Sequence, residues 1–544
     1  MLGRFSHLPL PRLLSTSLQF HLLKTPKDMP VVLGLDSSTQ SLSAVLLDTD
    51  EGTIVSEGSV NFGQDLAHYG QPHGYDPNGA RGEVHANPLM WVEALDLLLT
   101  QMSESGVDFS SVAAVSGSGQ QHGSVYLKTS FADALANLDA KSTLKEQIEP
   151  CLSRNSSPIW MDSSTSGECS EISLKVGGDD VVCAKSGSIA VERFTGSQIR
   201  KFAKSEPDAY EQTGVIHLVS SFFASILSGS NAAIDHGDGA GMNLMNLAWG
   251  NWDPDLVAAT APDLEAKLPA LKPSGTKSGP ISRYFVEKYG FSPNCETIIW
   301  SGDNPCSLVG MGAATPGKVV ISLGTSDTLF AAMPEPKTDP LGFGHAFGNP
   351  IEGYMSLICF KNGSLAREAV KEQYGLEWSD FDLEGLSKTS VGNDGLLMLP
   401  FYEPEITPRL DTGGPIFSDS GEHTPEAAVR AVLEGQFLNM RQHFEWLDVT
   451  PTRISLTGGA SENDGIAQII SDIFGVPVDR LEVPGSAAIG AAMRAANVLG
   501  VELDDLESKF SAPRPGSCIT PDDKAHEVYL GLQEKFQSFL ASQS

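Results

Sequence analysis

Two stretches of the chain share one pattern of apolar and polar positions, and each opens one half of the sequence. In both, a β-branched apolar run is followed by a short turn of Gly, Ser and Thr and then by a second apolar run. The turns lie in residues 34–40 and 322–328. The pattern predicts two β-hairpins with small-residue turns. Because such turns leave backbone N–H groups uncovered, each predicts a cradle for phosphate oxygens. Their repetition predicts an internal duplication.

Outside the two hairpins, strand patterns alternate with helical ones. Asn87 and Thr424 each precede a proline, which predicts the N-caps of two helices. Short apolar runs predict strands at 112–115, 297–300 and 454–457. The alternation predicts an α/β fold, and a chain of 544 residues is long enough for two large domains.

Three polar side chains are candidates for the chemistry. His122 comes after the strand at 112–115, and Asp303 comes after the strand at 297–300. Ligands of α/β folds collect at the carboxyl ends of strands, so both side chains are expected beside a pocket. A solvated loop histidine is the alternative for His122. Asp303 has two interpretations that stay open at this point: a general base, or only the cap of the helix that follows. Arg193 offers a cation in a mostly acidic chain.

Two glycines and one acid complete a candidate nucleotide site. Gly458 and Gly459 follow the strand at 454–457, where a ligand can approach the backbone and the next helix N-terminus favours anions. A tight turn is the alternative. Asp36, in the first hairpin, is placed to hold a hydrated Mg²⁺. Together with the two turns, these residues predict an ATP cleft between two related domains.

Composition narrows the class of partner. Apolar residues make up 41% of the chain and charged residues 19%, values typical of globular proteins. No apolar stretch approaches the roughly 20 residues of a membrane span. A formal net charge of −32 argues against a nucleic-acid partner. It does not exclude ATP, because a local nest of N–H groups together with Mg²⁺ can overcome an unfavourable global field.

The first 28 residues differ from the rest of the chain. Residues 1–27 carry four basic side chains, several serines and no acid. Such a segment is typical of an organelle transit peptide, and its apolar stretches are too broken for a secretory signal. The alternative is an upstream extension of a protein whose core begins near Met29. The predicted location is therefore cytoplasmic for the core, with mitochondrial or plastid import if residues 1–28 act as a transit peptide.

Eight short motifs follow one another along the chain. They are GLDSSTQ at 34–40, GQQHGS at 119–124, WMDSST at 160–165, ERFTG at 192–196, SGDNP at 301–305, SLGTSDT at 322–328, FKNGS at 360–364 and TGGAS at 457–461. On these motifs the chain resembles the FGGY family of carbohydrate kinases, within the actin-like ATPase superfamily, and most closely its eukaryotic-type xylulokinases. One departure is the lack, after Arg193, of a tryptophan that many bacterial members carry.

The resemblance implies a fold and a reaction. It implies two actin-like, ribonuclease H-like ATPase domains with the active site in the cleft between them. The sugar domain is expected at 29–311 and the ATP domain at 312–544. The implied reaction is ATP-dependent phosphorylation of D-xylulose at O5, with Mg²⁺, by a monomer or homodimer. Two alternatives stay open: an FGGY kinase for ribulose, glycerol or gluconate, and an actin-like ATPase that is not a kinase.

The resemblance also implies residue roles. Asp303 matches the base that takes the proton from O5, and His122, Arg193 and Asn304 match positions that hydrogen-bond the sugar. The remaining matches are Gly458, Gly459, Ala460, Asn463 and Trp378 for the adenine nucleotide, Ser37, Thr39, Thr325 and Ser326 for its phosphates, and Asp36 for Mg²⁺.

Overall fold

The computed structural model describes residues 30–543. The predicted extension at 1–28 lies outside the described residues, so the transit-peptide interpretation stays a prediction. Within residues 30–543, no helix has both the length and the apolar character needed to cross a membrane.

The first large sheet contains the first hairpin. Its strands are Val31–Ser37 (β1), Ser41–Asp48 (β2), Thr53–Asn61 (β3), Val112–Gly119 (β4), Lys277–Pro280 (β5), Glu296–Ile298 (β6) and Ser301–Gly302 (β7). The order is β5-β6-β4-β1-β2-β3, and β7 pairs with the end of β4. β1 is antiparallel to β2 and parallel to β4, so the turn after Ser37 and the loop after Gly119 lie at the same end of the sheet.

The second large sheet repeats this topology. Its strands are Lys318–Leu323 (β8), Asp327–Met333 (β9), His345–Gly348 (β10), Tyr354–Phe360 (β11), Arg453–Thr457 (β12) and Val478–Arg480 (β13). The order is β10-β11-β9-β8-β12-β13. β8 is antiparallel to β9 and parallel to β12, as β1 is to β2 and β4. Both predicted hairpins are confirmed, and the repeated topology supports an internal duplication.

Helices and short strand pairs cover the two large sheets. The helices that matter for the site and the core are Pro88–Glu104 (α1), Thr195–Ser205 (α2), Asp303–Gly310 (α3), Ser364–Tyr374 (α4), Pro425–Phe444 (α5), Asp464–Phe474 (α6), Ser486–Val498 (α7), Leu503–Phe510 (α8) and Asp523–Ala541 (α9). The other α-helices are Phe62–Asp65, Ser130–Ala136, Leu144–Ile148, Ser166–Val176, Asp179–Ser186, Pro207–Gln212, Val219–Ser228, His236–Ala240, Pro254–Thr260, Arg283–Tyr289 and Leu383–Leu386. The strand pairs are His85–Ala86 with Ser157–Pro158, Ser124–Leu127 with Val215–Leu218, Ile234–Asp235 with Leu271–Lys272, Met245–Asn246 with Asn251–Trp252, and Met398–Leu399 with Ile416–Phe417.

The two predicted helix caps are confirmed. The Asn87 side chain accepts a hydrogen bond from the N–H of Leu89 at the start of α1. The Thr424 side chain accepts one from the N–H of Ala427 at the start of α5. Proline occupies the first turn of both helices, where its missing N–H has no cost.

The strand predicted at 297–300 is shorter than expected. β6 ends at Ile298. Trp300 instead turns into the core and stacks on Phe223, with ring centroids 5.0 Å apart. Its ring fills the space that a side chain at Gly117 of β4 would need. The chain therefore leaves the sheet after Ile298 and pairs with β4 again at Ser301.

Small residues make up most of α7, and this helix packs where backbones approach closely. A side chain at Gly34 of β1 would collide with the backbone of Ala488, and one at Gly490 would collide with the carbonyl of Cys306 in α3. Glycine is required at both positions because the obstructing atoms are backbone atoms, which cannot move aside. A helix late in the chain thus covers the sheet formed early in the chain and fixes the position of α3.

Candidate active site

A cavity of about 1050 Å³ is lined by residues from both halves of the chain. It brings together all four residues predicted for the sugar site and Ser326, one of the two residues predicted to contact phosphates in the second turn. From the first half come Gln121, His122, Arg193, Asp303 and Asn304, and from the second half come Ser326, Phe343, His345, Lys361, Glu405 and Arg409, among others.

Asp303 is the first residue of α3, directly after β7. The cap of α3 is Gly302, so the interpretation of Asp303 as the helix cap is wrong. Its Oδ1 accepts hydrogen bonds from the N–H of Asn304 at 2.8 Å and of Gln121 at 3.4 Å. Burial raises the pKa of Asp303 to about 6, although these backbone donors oppose the rise. The carboxylate is therefore a stronger base than an ordinary aspartate and is still ionised at neutral pH.

Asn304 and Gln121 fix the surroundings of Asp303. The Asn304 amide donates to Gln121 Oε1 at 2.8 Å and to Asp303 Oδ1 at 3.1 Å. Gln121 therefore contacts Asp303 through its backbone and Asn304 through its side chain. It was not among the predicted site residues, although it directly precedes His122 in the sequence. Its position within GQQHGS was the only sequence signal available.

His122 is buried beside the cavity in a strained conformation. Its φ is +70°, a left-handed value that is uncommon for a side chain of this size. Its Nδ1–H donates to the carbonyl of Gly241 at 2.8 Å, and its ring stacks on Phe194 with centroids 4.2 Å apart. Burial and the nearby charge of Arg193 hold the pKa of His122 well below its usual value. The imidazole is neutral, and Nε2 is the ring atom that can accept a hydrogen bond from a hydroxyl.

Arg193 faces the cavity beside a histidine from the second sheet. Its Nη2 lies 3.2 Å from Nε2 of His345, the first residue of β10. His345 was missed in the sequence because it follows no strand end and lies 152 positions from its partner. Only the fold brings these two side chains together.

Asp36 lies near the end of β1, close to the catalytic candidate. Ser118 Oγ donates to Asp36 Oδ1 at 2.7 Å. Burial, and to a smaller extent the charge of Asp303, raise the pKa of Asp36 to about 7. A cation beside the two acids would relieve this repulsion. Mg²⁺ commonly takes one or two carboxylates plus phosphate and water. Among residues 30–543 no cluster of three or more acidic, His or Cys side chains could hold a metal.

The predicted contact residues of the two phosphate turns differ in their exposure to solvent. Thr325 and Ser326 are exposed, and Ser326 lines the cavity. Thr39 is half-buried, and its hydroxyl accepts a hydrogen bond from Nε1 of Trp160, a cavity residue, at 2.8 Å. Ser37 is fully buried, so its hydroxyl does not face the cavity.

The residues predicted for the adenine nucleotide form a second, open surface. Gly458 and Gly459 are exposed, and a side chain at Gly458 would collide with the backbone of Leu323. Asn463 caps α6 through its side-chain oxygen. Trp378 is 46% exposed. The segment after Trp378 reaches α6, because the Asp382 carboxylate accepts from the N–H of Gly465 at 3.0 Å. Ala460 is half-buried.

Known protein families match most of the chain. The N-terminal domain of the FGGY family of carbohydrate kinases matches residues 143–310, and the C-terminal domain matches residues 319–498. The chain belongs to the FGGY family of carbohydrate kinases. It is therefore a sugar kinase with ATP as co-substrate, and the predicted α/β fold with the two domains of this family is confirmed.

Individual relatives of this FGGY kinase carry more specific names. This chain is 42% identical to "Xylulose kinase" of Rattus norvegicus over 515 residues, and the match covers 93% of this chain and 95% of the relative. This chain is 44% identical to "Xylulose kinase 2" of Arabidopsis thaliana over 496 residues, and the match covers 87% of this chain and 88% of the relative. The fold is shared by the solved structure of xylulose kinase from Rhodospirillum rubrum, with a TM-score of 0.77, 21% identity, and 94% of this chain and 98% of that chain covered. It is also shared by gluconate kinase from Lactobacillus acidophilus, with a TM-score of 0.76, 19% identity, and 94% of this chain and 98% of that chain covered.

Proposed function

We propose that this FGGY kinase transfers the γ-phosphoryl group of ATP to O5 of D-xylulose, giving D-xylulose 5-phosphate and ADP. The observation that carries the proposal is the cavity in which Asp303 lies with His122, Arg193 and Asn304. Relatives named xylulose kinase, 42% and 44% identical over most of the chain, support D-xylulose as the acceptor.

Asp303 is the general base in this proposal. Its carboxylate takes the proton of the O5 hydroxyl while O5 attacks the γ-phosphorus. The new O5–P bond forms as the bond to the β,γ-bridging oxygen breaks, and ADP leaves with that electron pair. A base with a pKa of about 6 is ionised at neutral pH and is matched to this task.

The sugar is oriented by a neutral histidine and by fixed donors. Nε2 of His122 accepts from a sugar hydroxyl, because Nδ1–H already donates to Gly241. Arg193 and Asn304 donate to sugar oxygens. Orientation of this kind supplies much of the acceleration in phosphoryl transfer, since the reaction needs O5 in line with the phosphorus.

The nucleotide lies across the second half of the chain. The adenine base packs on Trp378 beside the glycine turn. Backbone N–H groups and hydroxyls of the two hairpin turns hold the phosphates, with Thr39 on one side and Thr325 and Ser326 on the other. Ser37 contributes its backbone only, because its side chain is buried.

Asp36 is the residue that would hold Mg²⁺, directly or through water. When bound there, the ion would supply neutralisation of phosphate charge in the transition state. The half-buried pair of Asp36 and Asp303, with the pKa values of both raised, fits a site that would be completed by a cation.

The organisation around this site is part of the proposal. We place the division between the sugar domain and the ATP domain at residues 311 and 312, which is supported by the ends of the two family matches at 310 and 319. The assembly is a monomer or homodimer. The location is the cytoplasm, unless residues 1–28 direct import into an organelle.

Release of ADP by the full chain with MgATP tests the acceptor. The sugars are D-xylulose, D-ribulose, L-ribulose, glycerol and gluconate, with a reaction lacking sugar as the control. The proposal predicts turnover with D-xylulose at least tenfold above every other acceptor. Faster turnover with another acceptor would overturn the choice of sugar, and equal turnover without sugar would overturn the kinase mechanism.

A further inference from the structure

His345 lies in the wall of the cavity and comes from the second half of the chain. It opens β10, is 7% exposed, and lines the cavity together with Arg193. The two side chains come from the two segments that match different domains of the family. Their contact therefore joins the two sides of the cavity at the sugar site.

The hydrogen bonds of His345 fix its tautomer. The Arg193 guanidinium can only donate, so the 3.2 Å contact makes Nε2 of His345 the acceptor. Nδ1 then carries the proton and donates to the Oγ of Ser188 at 3.0 Å. Ser188 is completely buried. Burial and the charges of Arg193 and Arg409 lower the pKa of His345 to about 3, so the ring stays neutral and the acceptor persists.

The ring of His345 also belongs to a row of aromatic contacts. It lies 5.4 Å from the ring of Phe194 and 6.0 Å from that of Phe347. Phe194 also stacks on His122. Two of the side chains proposed to hold the sugar, His122 and Arg193, are thus contacted by the group formed by Phe194 and His345.

We propose that His345 is a positioning residue of the sugar site, which holds the Arg193 guanidinium so that its remaining N–H groups face the sugar hydroxyls. An arginine has five such groups, and one is used by His345. Without this acceptor, the side chain has several rotamers available and loses entropy when the sugar binds. The inference rests on the proposed function, because it assigns Arg193 to the sugar.

Three substitutions at His345 separate hydrogen bonding from packing. His345→Phe keeps the aromatic contacts and removes both hydrogen bonds. His345→Gln has a carbonyl that reaches about as far as Nε2, so it can still accept from Arg193. His345→Asn is too short for that contact but can reach Ser188. His217→Phe is a control, since it removes a buried, neutral histidine that donates to or accepts from Ser221 outside the cavity.

Steady-state kinetics of the full-length variants, together with their melting temperatures, test the proposal. We expect His345→Phe and His345→Asn to raise the sugar KM by about tenfold or more without changing the ATP KM. We expect His345→Gln to keep the sugar KM within about threefold of the wild type. His217→Phe should lower the melting temperature without changing the sugar KM. An unchanged sugar KM in His345→Phe, or equal rises for Phe and Gln, would overturn the positioning role.

A double substitution tests whether His345 acts through Arg193. If it does, Arg193→Ala with His345→Phe raises the sugar KM no further than Arg193→Ala alone. A double variant whose rise in sugar KM is the product of the rises in the two single variants would contradict this dependence. Wild-type turnover with D-xylulose, measured in the same series, reports separately on the proposed function. If the wild type prefers another sugar of the panel, the ratios measured with that sugar decide the role of His345.

Discussion

Among the side chains proposed to contact the sugar, Asp303 carries the carboxylate, whereas His122, Arg193 and Asn304 are neutral or permanently charged. The proposal therefore assigns the proton transfer to Asp303. Asp303→Asn removes the proton acceptor and keeps the shape and an oxygen for the backbone donors. We expect kcat to fall by on the order of 10²- to 10⁴-fold with the fold intact. Asp253→Asn is a matched control, because Asp253 is a buried helix cap outside the cavity. A kcat for Asp303→Asn within threefold of the wild type would contradict the assignment.

The raised pKa of Asp303 predicts how the rate depends on pH. The base works only when ionised, and its pKa is about 6 rather than 3.8. We therefore expect kcat/KM, which reports the free enzyme, to be constant above about pH 7 and to fall as the pH drops through 6, approaching tenfold per unit. The midpoint of kcat, which reports the enzyme with MgATP bound, should lie at a lower pH, because MgATP places a cation near the acids. A kcat/KM that stays constant down to pH 4.5 would contradict the role of Asp303 as base.

The same pKa predicts a conflict between stability and activity. Because the folded-state pKa is raised, the protonated form favours folding, and this contribution is lost as the pH rises from about 4 through 6. At pH 8 the ionised Asp303 destabilises the fold. Asp303→Asn should therefore raise the free energy of unfolding by about 1–2 kcal/mol at pH 8, a value reduced for partial exposure. Urea unfolding at pH 8 and pH 4 checks this, since the gain should disappear at pH 4.

At the scale of elements, α7 holds the catalytic helix α3 against the first sheet. Gly490 allows the close approach, because a side chain there would meet the carbonyl of Cys306. Gly490→Ala should destabilise the protein by about 1–3 kcal/mol, as expected for overpacking against rigid backbone. Gly531→Ala is the matched control in α9, where nothing lies near the added methyl group. Urea unfolding of both variants measures the difference, and equal stabilities would contradict the packing argument.

Most elements near the site could be predicted from the sequence because their signals are local. The two hairpins follow from small-residue turns between β-branched runs, and the starts of α1 and α5 follow from caps before proline. The end of β6 could not be predicted, since it depends on the Trp300 ring lying against Gly117 from another strand. Local apolar patterning gives no information on that contact.

At the scale of the whole molecule, the cavity depends on residues that both halves of the chain supply. His122, Arg193, Asp303 and Asn304 were recognised through short motifs, and the fold brings all four to one cavity. His345 and Gln121 were not predicted as site residues, because their roles come from contacts with distant residues. The motifs identified the residues proposed to contact ligands, whereas the residues proposed to orient them are found only through contacts made in the folded chain.

The net charge of −32 sets the electrostatic setting for this cavity. A protein so acidic repels free nucleotide at long range, and binding must therefore rely on local groups. The hydrogen-bond donors of the two hairpin turns and a cation near Asp36 are such groups. D-xylulose carries no charge, so this repulsion does not oppose its binding to the cavity.

The position of the phosphate in the product tests the central claim most directly. The full chain is incubated with MgATP and D-xylulose, and the product is analysed by ³¹P and ¹³C NMR. The account predicts one sugar phosphate whose phosphorus couples to C5, formed in equal amount to ADP and lost in Asp303→Asn. Phosphate on any other carbon, or release of inorganic phosphate in place of a sugar phosphate, would contradict it.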